Sequence, residues 1–487
     1  MPWLTILGAL PLAGALATAF VRGRARAFAG LGVALVTLGL AIWATIQRAA
    51  LAESFVWIPQ IGANYALKLD GLAALLVLVA ALLTVVVLLT RLGADRWSGF
   101  VPLALALEGL TLFTFMSDDV LLFFIAFEAT LIPMYFLIGN GGRVPRAGAA
   151  LKFLLYSLAG GLVLLGGVVY LIVAAKGCSF ESLAGLPLAQ EAERILFLVF
   201  FVAFAFKAPL VPLHPWLPDA VEHGRPASSV LLVGMLDGIG LYGMVRFCLG
   251  ITPQGAVWAS TGIVIVAVVT VVYGALAAIA SKSLMRLAAF TSISHAGFMV
   301  LGLFAFTTAS VSGALTYVGA HALSASALIL AAGWAVSRRG DVLTKGAFGG
   351  LARIAPVLAG VFLLAGLATL ALPGSANFAA ELAIIVGAWA RHPIITAVGL
   401  LGVLAAGVYV LWAYQRVFTG ELPDDDTEKT PTGGTGDINP VAKVAAGLLL
   451  AALFVFGVYP GPAQNLVAGN VDQVMTSAQM TDPVGGR

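Results

Sequence analysis

FVAFAFKAPLVPLHPWLPDAVEHGRPASSVLLVGMLDGIGLYGMVRF, residues 201–247, sets one lysine, Lys207, in an otherwise apolar run and follows it with Pro209, Pro212, Pro215 and Pro218. Proline lacks the N–H that an interior helical position donates, so a helix breaks here. A lysine at bilayer depth costs roughly 2.5–3.5 kcal/mol even on the lenient insertion scale. A charge kept beside a break at that cost points to function.

Outward from this stretch the chain is apolar throughout. Of 487 residues 61% are hydrophobic and 10% charged, and runs of about 20 apolar residues recur from end to end, the pattern of a polytopic helical membrane protein. A transmembrane barrel is excluded, because its strands alternate over short segments. A net charge of +3 with no basic patch between aromatics excludes nucleic acid as a partner. Cys178 and Cys248 lie far apart with no CxxC and no Cys/His cluster, so no cofactor is expected and no iron–sulfur, haem or zinc site. The partners left are the lipid bilayer, protons and internal water.

The expected fold is all-α, with about fourteen transmembrane helices: 2–22, 29–47, 69–91, 99–116, 119–139, 148–174, 194–218, 228–249, 256–279, 286–305, 310–336, 355–389, 393–418 and 441–460. Odd-numbered connections then hold 18 of the 26 Lys and Arg, even-numbered connections and termini 7, and Lys207 lies within the membrane. The positive-inside rule puts the odd connections in the cytoplasm and both termini on the outer face. No positive charge precedes the first run and Arg22, Arg24 and Arg26 follow it, the reverse of a signal peptide. Run 355–389, interrupted at Leu372-Pro373-Gly374-Ser375, is too long for one straight crossing and is the second broken helix, five spans after the first. Residues 1–98 therefore read as three leading helices, 99–250 and 256–418 as two inverted five-helix repeats, and 419–487 as linker, last helix and short tail. The segment 419–440 is read as solvated, and the polar tail after Pro460 as surface-lying or poorly ordered.

Glu108, Glu128, Lys207, His295, His321 and Glu381 stand near mid-span on six different helices, so they describe a path along the membrane plane. Carboxylates, an amine and imidazoles joined by water pass protons, and the breaks free carbonyls to hold that water. The competing reading of Glu128 and Lys207 is an ion pair that only pins two helices. Glu108, His295, His321 and Glu381 have a similar alternative as satisfied buried groups. Asp70, Asp118 and Asp119, at helix starts, read as caps. His214 lines the break or caps it, and Trp3, Trp57 and Trp97 read as interface anchors.

Four runs carry a family resemblance: LLFFIAFEATLIPMYFLIG (121–139), AFAFKAPLVPLHPWLPDA (203–220), RLAAFTSISHAGFMVLG (286–302) and LALPGSANFAAELAIIVG (370–387). Together they resemble the antiporter-like subunits of respiratory complex I, subunit M in particular. The resemblance implies a proton-translocating membrane-arm subunit of an NADH-quinone oxidoreductase in a bacterial cytoplasmic membrane. It would be partnered by the other membrane-arm subunits and have no NADH, flavin, iron–sulfur or quinone site of its own. It also implies roles: Glu128 and Lys207 as the carboxylate–lysine pair, Glu108 as the acid of the fourth helix, His295 and His321 as relay positions, and Glu381 as the terminal acid. Alternatives that share these motifs are a multisubunit Na⁺/H⁺ antiporter, a membrane-bound hydrogenase and a pumping-impaired structural paralogue. Three positions depart from the family pattern: Gly238 stands where lysine is expected, Met285 replaces another lysine, and Ala322 follows His321 in place of glycine. Glycine stores no proton, and Asp237 beside it is expected to point along a different face.

Overall fold

The computed structural model describes residues 1–92, 99–140, 144–339, 349–421 and 437–483. Trp97 and most of the linker, 422–436, lie outside them. Each run read as a span falls on helix within a few residues of its expected ends. Among the described residues, 11 helices are long and apolar enough to cross a membrane. Phe100–Met116 and Pro356–Thr369 are shorter apolar helices.

Four helices form the inside: Gly71–Arg91, Pro226–Leu249, Leu284–Phe304 and Thr308–Arg338 are almost wholly buried. Around them Trp3–Phe20, Arg24–Ala50, Pro145–Ala175, Pro393–Phe418 and Pro440–Val458 turn apolar side chains such as Leu16, Phe28, Leu162, Val173 and Leu404 to the surface. Such a surface is what lipid tails require, so the protein is a multi-pass membrane protein. Both expected breaks are present. The helix Gln190–Lys207 stops at Lys207 and resumes at Trp216–His223, while Pro356–Thr369 stops before a turn with Ala371 (φ 59°) and Gly374 (φ 95°) and resumes at Ala376–Arg391.

Polar contacts between connections fall into two sets. In one, Lys152 and Arg286 both pair with Asp219 (2.6 and 3.1 Å), Arg286 with Glu222 (2.5 Å), and Arg146 donates to the His223 carbonyl (2.9 Å). Gly350 N donating to Thr419 O and Val357 N to Asp437 belong to the same set. In the other, Arg246 bridges Asp70 (3.0 Å) and Asp118 (2.7 Å), Glu193 accepts from Gln254 N (2.8 Å), and Asp482 accepts from Thr308 N (2.8 Å). Every pairing joins odd connections to odd, or even connections and termini to one another.

The connection 48–70 adds an element to the all-α reading. Ala52–Ile58 and Ala63–Lys68 pair as an antiparallel hairpin, built from the alternating, aromatic and β-branched run ESFVWI. Glu53 on its first strand accepts from Leu4 N (2.6 Å), Thr5 N (3.2 Å) and Thr5 Oγ1 (2.6 Å), so a distant carboxylate caps the first helix. Trp57 is exposed on this hairpin, and Trp3 packs on Trp43 with ring centroids 5.0 Å apart.

The tail corrects its expectation. Gly461–Ser477 is a helix that buries Val467, Asn470, Val471 and Val474. Its Asn470 side chain accepts from Leu72 N (2.9 Å), satisfying the start of the buried helix Gly71–Arg91. The tail reads as polar because one face is polar. The other packs across Gly71, where an added Cβ would sit 1.7 Å from the Leu466 carbonyl oxygen. Gly71→Ala is therefore expected to expel this helix at a cost of about 1–3 kcal/mol. A cysteine placed at Val467 should gain maleimide reactivity in that background and stay protected without it.

Candidate functional site

The first break places Lys207 as the last residue of its helix, with its side chain 2% exposed. Pro209 cannot donate into the helix, Leu210 N reaches back to Ala205 O (3.1 Å), and the Trp216 indole takes the Phe206 carbonyl (2.9 Å). Lys207 Nζ lies 5.1 Å from the Phe127 ring centre and 5.4 Å from that of Phe153, and it has no hydrogen-bond partner among the described residues. The two ring faces provide cation–π attraction on the order of 2 kcal/mol each when desolvated. Two carboxylates, Glu128 and Asp237, act on the amine electrostatically.

Glu128 stands at the end of Val120–Ala129, where the fifth span steps at Thr130 before continuing as Leu131–Gly139. Pro133 has no N–H to offer the Ala129 carbonyl, which loosens the helix beside the carboxylate. Glu128 Oε1 is buried without a hydrogen bond. It leans over Gly161, where a Cβ would come within 2.1 Å of it. No contact ion pair joins Glu128 to Lys207 among the described residues, so the pinning reading lacks its contact.

On the second half, His321 and His295 face each other Nδ1 to Nδ1 at 3.1 Å, and His321 Nε2 lies 3.2 Å from Ser292 Oγ. One Nδ1 must donate and the other accept, so the imidazole pair is directional. The Thr369 backbone, last in its helix before the second break, hydrogen-bonds to His295. Glu381 follows that break and accepts a hydrogen bond from Tyr317 OH. A small cavity lined by Ser294, His295, Thr369, Glu381 and Tyr409 separates the histidine from the acid, with room for about one water molecule.

The structure thus brings Glu128 to Lys207 and His321 to His295, with Glu381 across a small cavity. Glu108 stands apart: it is fully buried on Phe100–Met116, and neither carboxylate oxygen has a hydrogen-bond partner among the described residues. His214 bonds Tyr273 OH (3.2 Å) beside the first break. Asp70 and Asp119 cap the helices that follow them, whereas Asp118 pairs with Arg246.

Asp237 corrects its expectation. It is buried, it interacts with Lys207, and it lines one cavity together with Gly238, Ser292 and His321. Its helix carries π-helical turns at Leu232–Leu236 and Met244–Leu249 on either side, which shift the register away from the regular helix assumed for the sequence. Tyr317, Ser292 and Thr369 were not singled out. Tyr317 sits four residues before His321 and Ser292 three before His295, spacings that share a helix face and mark both as neighbours of the relay.

Comparison with known proteins places this geometry. The family model of the transmembrane region of NADH:quinone oxidoreductase and Mrp antiporter subunits matches residues 117–406. NADH-quinone oxidoreductase subunit M of Mycobacterium tuberculosis is 36% identical, the alignment covering 99% of this chain and 96% of that one. The NAD(P)H-quinone oxidoreductase chain 4 of Thermosynechococcus vestitus is 33% identical over 94% and 89%. Among solved structures, a chain of respiratory complex I from Thermus thermophilus superposes with TM-score 0.89 at 30% identity, covering 98% and 99%. A chain of the Mrp complex from a Dietzia species superposes at 0.86 with 21% identity over 98% of both, a likeness of fold. The matched span contains both breaks and every candidate residue except Glu108, and the chain belongs to the NADH:quinone oxidoreductase/Mrp antiporter membrane family, in its subunit M branch.

Proposed function

We propose that this protein is a proton-translocating membrane-arm subunit of an NADH-quinone oxidoreductase, working beside the other membrane-arm subunits and leaving the redox chemistry to its partners. The observation that carries this reading is Lys207: a buried amine at a helix break, with no hydrogen bond and no contact ion pair among the described residues, under the electrostatic influence of two carboxylates. A structural lysine would be paired. This one holds or releases a proton according to the charge and distance of its neighbours.

Protons enter the relay at Glu128 and Lys207, pass to His321 and His295, and leave by Glu381. A proton taken at Nε2 of His321 can release one from Nδ1 to His295; each transfer leaves the rings in their other tautomers, so both must be reset, by reorientation of the ring, before the next proton passes. Glu108, fully buried on Phe100–Met116 and without a hydrogen-bond partner among the described residues, is a further acid of the same relay. The proposed organisation is fourteen crossings with 99–250 and 256–418 as inverted repeats. It is supported by the two breaks five spans apart and by the parity of the contacts between connections. Lys and Arg concentrate in the odd connections, which supports a bacterial cytoplasmic membrane with both termini on the outer face.

Two variants test the relay in the assembled complex, reconstituted in vesicles with NADH oxidation and proton uptake read together. Lys207→Ala should leave assembly intact and strongly lower the protons moved per NADH. Lys207→Arg should fail as well, since guanidinium keeps the charge but does not release its proton; an arginine variant that pumps normally would show that only the charge matters. Gly161→Ala should displace the Glu128 carboxylate rather than unfold the helix, because the group it meets is the end of a flexible side chain. The expected loss of coupled turnover is on the order of tenfold, with assembly unchanged on native gels.

A further inference from the structure

Between Lys207 and His321 runs a gap in the relay, and a cavity fills it. Its walls include Ala208 and Pro209 of the first break, Asp237 and Gly238 of the eighth helix, and Ser292 and His321 of the second half. It has room for about one water molecule. The eighth helix crosses the break closely, since a Cβ on Gly240 would lie 2.6 Å from Ala208 N. That approach carries Asp237 to the amine of Lys207 on one side and to the cavity on the other.

Asp237 is 5% exposed, and its Oδ1 has no hydrogen-bond partner among the described residues. A buried carboxylate oxygen left open costs stability unless something occupies it part of the time. It begins the seven-residue α-helical segment Asp237–Gly243, held between two π-helical segments, and such irregularities gather where a side chain is aimed for use. Ser292 and His321 line the same space, Lys207 acts on Asp237 electrostatically, and none of them closes Oδ1.

We propose that Asp237 is the proton carrier between Lys207 and His321, the step that links the two halves of the relay. The Lys207 ammonium gives a proton to the Asp237 carboxylate, breaking an N–H bond and forming an O–H bond, so that both groups become neutral. The carboxylic acid then releases that proton through the water in the cavity, or the Ser292 hydroxyl, to His321 Nε2. Asp237 returns to the carboxylate, and the charge moves onto the imidazole pair. Gly238 lines the cavity beside it, where a Cβ would make only ordinary contact, 3.5 Å from Val318 Cγ1 and 3.9 Å from Leu76 Cδ2. A longer side chain therefore has a way in at 238.

The inference rests on the relay proposed above, and the experiment separates the two. In the assembled complex in vesicles, Asp237→Asn keeps shape and hydrogen bonding but carries no titrating proton, and it should lose proton yield per NADH as Lys207→Ala does. Asp237→Glu should retain it, and the double variant with Asp237→Asn and Gly238→Lys should regain it, because the lysine brings a proton-holding group back to the cavity. The infrared difference spectrum between resting and turning-over complex should show a deuterium-sensitive carboxyl band that Asp237→Asn removes. Asp237→Ser is the second neutral variant should asparagine prevent assembly. If either neutral variant pumps at the wild-type yield while Lys207→Ala does not, Asp237 is no carrier and the relay stands. If Lys207→Ala itself pumps normally, the relay falls and this step with it.

Discussion

Everything in this protein is arranged around the cost of keeping one amine out of water. Lys207 cannot be buried at the end of a helix unless aromatic faces, carboxylates or water share its charge, and the molecule supplies the first two directly. Phe127 and Phe153 bring ring faces from the fifth and sixth spans, Glu128 comes from the fifth and Asp237 from the eighth. The helix break follows from the same need. A continuous seventh helix would satisfy its own carbonyls and leave the lysine facing a closed wall, whereas the proline-rich turn opens a space beneath it that the eighth helix lines.

The second half answers with hydrogen bonds. His295, His321, Ser292, Tyr317 and Glu381 are linked by them or separated by no more than a small cavity. Chains of this kind reorient rather than store, so in the proposed relay the first half would load and the second conduct. The separation is visible in the buried atoms left open. Among the described residues Glu108, Glu128, Lys207 and Asp237 each have at least one, while both histidines have partners in the second half, where the open atoms, such as Asn377 Oδ1 and Tyr409 OH, belong to uncharged side-chain types.

Much of this was legible in the chain. Apolar runs showed where helices lie, Pro209 and Pro373 located the breaks, and the isolated charges marked the candidate residues that the structure buries beside them, because a charge in an apolar run has no neighbour in sequence to explain it. What escaped depends on register and on distance. Asp237 was set aside as standing on another face from position 238, yet both line one cavity, because the space is closed by neighbouring helices that no pattern of residue types in this one announces. Asp219 and Glu222 drew no reading in sequence, yet they gather Lys152 and Arg286 from two other connections. The tail read as surface-lying or poorly ordered, and nothing in its own residues announces the bond between Asn470 and Leu72, 398 residues away.

The path from Glu128 to Glu381 runs from helix to helix rather than along any one of them, and this bears on how membrane voltage acts. Moving a unit charge through the full potential costs about 2.3 kcal/mol per 100 mV, but a step at constant depth crosses almost none of it. Transfers through Lys207, His321 and His295 in the proposed relay would then be nearly blind to the voltage, and the electrical work would fall on whatever vertical passages lead in and out. Back-pressure from a charged membrane would slow entry and exit while leaving the interior of the relay free to equilibrate.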